Sequence, residues 1–278
     1  MYQASALSVY GGLGSWLDIF AAASWSRAST VVAAAKAHSV RTLYLQTSNY
    51  SQASDVVRPA ALGRFIDTAH AAGLKVTAWY LPGFQSPTRD ARRALAAIHF
   101  HSTTGQRFDA FALDIEASIV PNIALRNRRL LTLAHLLRRS VPTTYPLGAI
   151  IPSPVGMRRH PHYWPQFPYR SLAQSFDAFL PMAYFSYYAR SAAAAYTYAH
   201  DVITEIRART GQPAELIHMI GGSASTIPPA ALAGFVHAAS DCAAQGISLY
   251  AFPQTHPRDW TQLATAALGG TPTNACQP

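Results

Sequence analysis

Acid is scarce in this sequence. Its 278 residues carry 13 aspartates and glutamates against 22 lysines and arginines, and charged residues make up only 13% of the chain. Glutamate occurs only at Glu116, Glu205 and Glu215, and lysine only at Lys36 and Lys75. The formal charge of +9 therefore rests on arginine, and arginine in place of lysine beside abundant alanine is a habit of GC-rich genomes. No basic run with interleaved aromatics and no zinc or helix-turn-helix spacing accompanies the charge, so no nucleic-acid partner is expected.

Long hydrophobic runs are missing as well. No stretch reaches the roughly 18 apolar residues that a membrane span requires. The opening Met1-Tyr2-Gln3-Ala4-Ser5 lacks the basic n-region and apolar h-region of a signal peptide, which leaves a cytoplasmic protein or a mature fragment with a new start methionine. Cysteine occurs twice. Cys242 and Cys276 admit one disulfide that ties down the C-terminus, or two free thiols, and their spacing makes no metal motif.

What is present is ample apolar material: 50% of the residues are hydrophobic, enough for one large α/β barrel or two smaller domains. Short apolar runs at Ala6–Gly12, Arg41–Ser48, Leu74–Leu81, Phe108–Glu116, Leu147–Pro152, Ala178–Phe185, Glu215–Gly221 and Ile247–Pro253 read as strands. Between them lie amphipathic segments, among them Ser29–His38, Leu62–Ala72, Arg89–His99, Leu125–Arg139, Ala192–Arg209 and Pro229–Ala244, whose apolar spacing suits helices packed on one side. Strands alternating with helices imply parallel crossover units, and eight such units imply a closed (β/α)8 TIM barrel. A single α/β domain over 1–268 with a C-terminal tail at 269–278 is expected.

The run Phe108-Asp109-Ala110-Phe111-Ala112-Leu113-Asp114-Ile115-Glu116 ends an apolar strand in two carboxylates. Side chains alternate along a strand, so Asp114 and Glu116 share a face with Ala110 and Ala112, while Phe111, Leu113 and Ile115 take the other. Two acids about 6–7 Å apart at Cβ on one face disfavour double ionisation, so one is pushed towards the pKa a general acid needs. A buried salt bridge with an arginine or Lys75, or capping of the next helix, is the structural alternative. Phe-Asp-Ala-Phe recurs at 108–111 and 176–179, each time opening a strand. That end of a barrel serves stability, so Asp109 and Asp177 are read as structural.

The opposite strand ends are polar and aromatic. They carry Gln46 and Asn49 after strand two, Trp79 and Tyr80 after strand three, Met182, Tyr184 and Tyr187 after strand six, and Tyr250 and Gln254 after strand eight. Trp16 and Asp18 follow strand one, where Asp18 is equally a helix cap. Rings beside carboxylates and amides suit sugars, whose C–H faces stack while their hydroxyls need hydrogen-bond partners.

Asp109 to Glu116 resembles a degenerate DGxDxDxE signature of strand four in family 18 glycoside hydrolases, the chitinase-like barrels, and Met182-Ala183-Tyr184 resembles their M-x-Y segment. Leu113-Asp114-Ile115-Glu116 is also similar to the strand-four LDIE of family 25 muramidases. The chain as a whole resembles glycosyl hydrolase barrels of GC-rich bacteria. It departs from the chitinase pattern at Ala110, Ala112 and Phe185, and it lacks the muramidase D-x-S segment.

The resemblance implies that Glu116 protonates the glycosidic oxygen, with Asp114 as its electrostatic partner. On an amino sugar the substrate's own acetamido carbonyl would be the nucleophile, oriented by Asp114 and held by Tyr184. Otherwise Asp114 or Asp18 acts as base or nucleophile. A monomeric, secreted or cell-envelope enzyme acting on peptidoglycan, a chitin-like or a galactosaminogalactan-like polymer is expected. A non-catalytic carbohydrate-binding barrel and a metal-dependent polysaccharide deacetylase are the alternatives.

Other motifs carry less. Arg158-Arg159-His160-x-His162 is a metal or anionic-substrate candidate without a third ligand at recognisable spacing, and His218 reads as a hydrogen-bonded core histidine. Ile220-Gly221-Gly222 lacks the phosphate-loop lysine and the Rossmann spacing, and no G-x-S-x-G occurs. No cofactor and no metal are expected.

Overall fold

The structure, a computed structural model, describes residues 4–212, 215–223 and 227–276. The leader reading thus falls largely on Met1–Gln3, outside the described residues. Eight parallel strands close into a barrel in chain order: β1 Gly12–Leu17, β2 Val40–Asn49, β3 Lys75–Leu81, β4 Ala110–Asp114, β5 Leu147–Pro152, β6 Ala178–Ala183, β7 His218–Ser223 and β8 Gly246–Tyr250. The described helices are α1 Ala4–Tyr10, α2 Ala22–Trp25, α3 Ala28–Ala37, α4 Pro59–Ala71, α5 Pro87–Ile98, α6 Ile123–Ser140, α7 Pro154–Arg159, α8 Tyr169–Leu172, α9 Ala192–Thr210, α10 Pro229–Asp241 and α11 Pro257–Leu263. None is long and apolar enough to cross a membrane.

Strand one is displaced from its expected position. Ala6–Tyr10 is helical, and the strand begins at Gly12. A short run of small and apolar residues fits either period, and here a tertiary role decides. α1 plugs the lower end of the barrel, with Ala6, Val9 and Tyr10 in the interior cluster. The Tyr10 hydroxyl donates to the Phe111 carbonyl at 2.9 Å, and the Thr42 hydroxyl donates to the Val9 carbonyl at 2.6 Å.

Alternation splits every strand between two cores. Trp16, Tyr44, Trp79, Ala110, Ala112 and Leu180 face inward, while Leu43, Leu45, Val76, Ala78, Phe111 and Leu113 pack outward against helices. Interior space is rationed by small residues. A side chain on Gly14 would meet Tyr44 at 2.6 Å and His218 at 2.9 Å. One on Gly246 would run into the His218 ring and the Tyr10 carbonyl.

The repeated aspartates fasten the lower ends of neighbouring strands. Asp109 N donates to the Val76 carbonyl at 2.8 Å while its Oδ2 accepts from Val76 N at 2.8 Å. Asp177 makes the same two-way contact with Leu147, at 2.7 and 2.8 Å. Gln245 repeats it with Ile217, at 3.0 and 2.9 Å. Lys75 and Arg138 sit on Asp109 and Asp177, each at 2.9 Å. At the chain's end a disulfide joins Cys242, after α10, to Cys276 across 5.0 Å between Cα atoms, so the tail lies against the barrel.

Gly246→Ala places a methyl where His218 and Tyr10 already touch. Overpacking of this kind costs about 1–3 kcal/mol, and a thermal melt should show a lowered Tm with the barrel's circular dichroism retained.

Candidate active site

The upper, C-terminal ends of the strands surround a cavity of about 380 Å³. Asp114 and Glu116 stand on its wall with Tyr184, Tyr187 and Tyr250. Trp16 and Trp79 form part of its floor, their rings 6.0 Å apart and edge to face.

β4 delivers Asp114 from the face that carries Ala110 and Ala112, and Glu116 follows in the turn just past the strand's end, lining the same cavity. The ladder continues one step past the strand, Ile115 N donating to the Ile150 carbonyl at 2.8 Å. Glu116 is held from behind: the Tyr163 hydroxyl donates to its carbonyl oxygen. Tyr163 is itself anchored to α6, because the buried Arg126 donates to its carbonyl at 2.9 Å.

Asp114 is 5% exposed and its Oδ1 has no hydrogen-bond partner among the described residues. Burial first, and the charge of Glu116 second, hold its carboxyl well above the usual carboxylate range. Burial also raises Glu116, which is half-buried. Among the described residues neither acid has a cationic partner: Lys75 is spent on Asp109, and the other ion pairs lie elsewhere. The salt-bridge alternative thus fails, and so does capping, since α6 is capped by Asn122, which accepts from Leu125 N.

The rim holds most of the expected residues in the site. Gln46 and Asn49 line the cavity, with Gln46 Oε1 accepting from Ile19 N at 3.0 Å and Asn49 Oδ1 accepting from Ser51 N at 2.9 Å. Trp16 stacks on Tyr44 at 4.1 Å between centroids, and its indole N–H donates to Ser248 Oγ at 2.8 Å. Ser248 meets His218 Nε2 at 2.9 Å, and His218 Nδ1 lies 2.8 Å from the Tyr10 carbonyl. Burial pushes His218 down to about 4. It is a neutral core histidine that orients the tryptophan.

Three expectations are corrected. Tyr80 is not in the site. Being adjacent to the inward-facing Trp79 it points outward, fully buried, and its hydroxyl donates to Asp90 Oδ1 on α5 at 2.7 Å. Gln254 lies in an exposed 3-10 turn, Phe252–Gln254, away from the cavity wall. Asp18 is committed as a support: Oδ1 accepts from Phe20 N and Ala21 N at 2.8 and 3.0 Å, and Oδ2 accepts from the Tyr250 hydroxyl at 2.8 Å.

A second cavity, of about 460 Å³, opens on the other side of Glu116. Glu116, Met182, Tyr184 and Tyr187 line both, and the new wall adds Met157, His160, Tyr163, Tyr188 and Tyr198. Sequence reasoning reached the shared part and, through the Arg158-Arg159-His160 run, one residue of the new wall, His160. Tyr163 lies in a proline-rich loop and Tyr198 on α9, so nothing local marks them, although Tyr187-Tyr188 was a visible pair. Elsewhere, His200, Cys242 and Cys276 come within 4.8 Å of one another, and there the two sulfurs are bonded together.

The buried acid has a consequence for stability. The unfolded chain ionises Asp114 near pH 4, whereas the folded state keeps the proton to higher pH. Stability from this group is therefore greatest at low pH and declines as pH rises through the window between the two values. Asp114→Asn should raise Tm at about pH 8 and leave it nearly unchanged at about pH 4, each unit of elevation corresponding to about 1.4 kcal/mol. Calorimetry at the two pH values checks this, and a lowered Tm at the higher one contradicts it.

No protein-family model and no curated protein sequence matches the chain. Solved structures do. The Bacillus cereus spore cortex-lytic enzyme SleL is similar at a TM-score of 0.68 and 10% identity, over 96% of this chain and 76% of that one. An endo-β-1,4-mannanase from Thermotoga petrophila gives 0.67 and 12%, over 87% and 68%. A chitinase from Chromobacterium violaceum gives 0.63 and 12%, over 92% and 98%. At such identities the likeness establishes the fold, a (β/α)8 barrel shared with these enzymes.

Proposed function

We propose that the protein is a glycoside hydrolase acting on an amino-sugar-containing polysaccharide, with Glu116 as general acid. One observation carries this reading: two carboxylates without a cation stand at the upper mouth of the barrel, in a cavity walled by tyrosines and floored by tryptophans. A counter-ion would strip the proton that a general acid must donate, and burial without one retains it. The barrels it is similar to include a chitinase, a mannanase and a cortex-lytic enzyme, which supports the same chemistry.

The commitment of Asp18 to Tyr250 and two amides supports the substrate-assisted route. Beside Glu116, Asp114 is then the one carboxylate on the cavity wall among the described residues. In this route Glu116 protonates the glycosidic oxygen as the C1–O bond breaks, and the 2-acetamido carbonyl oxygen closes on C1. Asp114 accepts from the acetamido N–H, and the Tyr184 hydroxyl donates to the carbonyl oxygen. Water then attacks C1, giving its proton to the Glu116 carboxylate and reopening the ring. Cavities on both sides of Glu116 fit sugar units on both sides of the cleaved bond. A cell-envelope or secreted setting follows from such a substrate.

Reducing-end release from chitin, peptidoglycan, galactosaminogalactan and neutral glucans and galactans, measured for wild type and Glu116→Gln, tests the reading. Release from amino-sugar polymers is expected, with a loss of about 10²–10⁴-fold in the variant and retained binding. Release from neutral polymers alone overturns the substrate class. Silence from both proteins with glycan bound turns the reading into a non-catalytic binding barrel, a course that Ala112, in place of a carboxylate, leaves open.

A further inference from the structure

The second cavity is walled by tyrosines and, apart from Glu116, by no acid. Its outer side is formed by α7, whose last turn carries Arg158 and Arg159 and which is followed by His160. The two arginines have different fates. Arg158 is consumed by Glu205 and lies 3.9 Å from Asp201. Arg159 has no carboxylate partner and no protein hydrogen-bond acceptor among the described residues, and its guanidinium carbon sits 4.4 Å above the Tyr188 ring and 5.8 Å from that of Tyr198. Those rings stack on each other at 5.2 Å and 23°, and both line the cavity.

An arginine laid on a ring is held in place while its N–H edge stays available, and that edge matches a carboxylate in two-point geometry. We propose that the second cavity seats the leaving-group side of the substrate, and that Arg159, with His160 beside it, selects a sugar bearing a carboxylate there. The inference rests on Glu116 being the proton donor between the two cavities. It makes the substrate an acidic polysaccharide, and the chain's +9 charge favours approach to such a polymer.

The test is equilibrium binding by calorimetry to Glu116→Gln protein, which requires no turnover. The probes are peptidoglycan glycan strands and oligogalacturonate, each beside its carboxyl-reduced counterpart. At least one acidic probe should bind about 10- to 100-fold more tightly than its reduced form, as one charge-assisted contact allows. Adding Arg159→Gln should abolish that preference while leaving affinity for the reduced form unchanged, and Arg159→Lys should restore part of it.

Equal affinity for acidic and reduced forms, or no binding of any probe, overturns the proposal. So does an equal loss on both forms in Arg159→Gln, which would give Arg159 only the task of bracing Tyr188. Failure of the hydrolase reading shows separately, as wild-type protein that releases no glycan, and failure of Glu116's role shows as release that survives Glu116→Gln.

Discussion

The site depends on two neighbouring acids, one buried and one half-buried, with no cationic partner among the described residues. Removing a carboxylate from water without a partner is costly, and proteins relieve the cost by leaving the proton on. The chain is not short of cations, having 22 for 13 acids. It places them elsewhere: Lys75 on Asp109, Arg138 on Asp177, Arg92 on Asp55, Arg158 and Arg209 on Glu205. The bare pair at the mouth is therefore a matter of placement rather than supply, and it gives Asp114 and Glu116 their affinity for protons.

The same residue type does opposite work at the two ends of the barrel. Asp109 and Asp177, at strand starts, are satisfied by a backbone amide and a cation each. Asp114, at a strand end, has an oxygen that no described residue satisfies. The Phe-Asp-Ala-Phe repeat is the sequence trace of a fastening that ties β3 to β4 and β5 to β6, and Gln245 makes the third such tie without the motif. A rigid lower end of this kind, with α1 as its plug, leaves the upper end free to hold groups in unfavourable surroundings.

Period-two alternation is why the central element was readable from sequence. It placed Asp114 and Glu116 with Ala110 and Ala112; Asp114 ends the strand, and Glu116, carried in the turn just beyond it, lines the same cavity. The same rule, applied one residue further along β3, separates Trp79 from Tyr80; grouping the two by their shared rim ignored it. The start of β1 was not readable, because the small apolar residues of Ala6–Tyr10 fit either a helix or a strand until something needs plugging. Beyond the shared wall, the second cavity was readable only at Arg159 and His160, because it draws on α7, a proline-rich loop and α9, segments that chain proximity does not join.

The distribution of charge across the two cavities follows from a conflict. A subsite that reads a carboxylate needs a cation, yet a cation near Glu116 would lower its pKa and take away its proton. Burial is the cause that raises Glu116, and no positive charge counters it. Arg159 meets both demands from the cavity's outer edge, beside its lining rather than in it: its guanidinium is stacked on Tyr188, so the tyrosine ring is its neighbour. The second cavity can thus attract an acidic sugar while, in the first, burial still raises both acids above the usual carboxylate range. Moving that arginine inward would strengthen recognition only by weakening the proton donor.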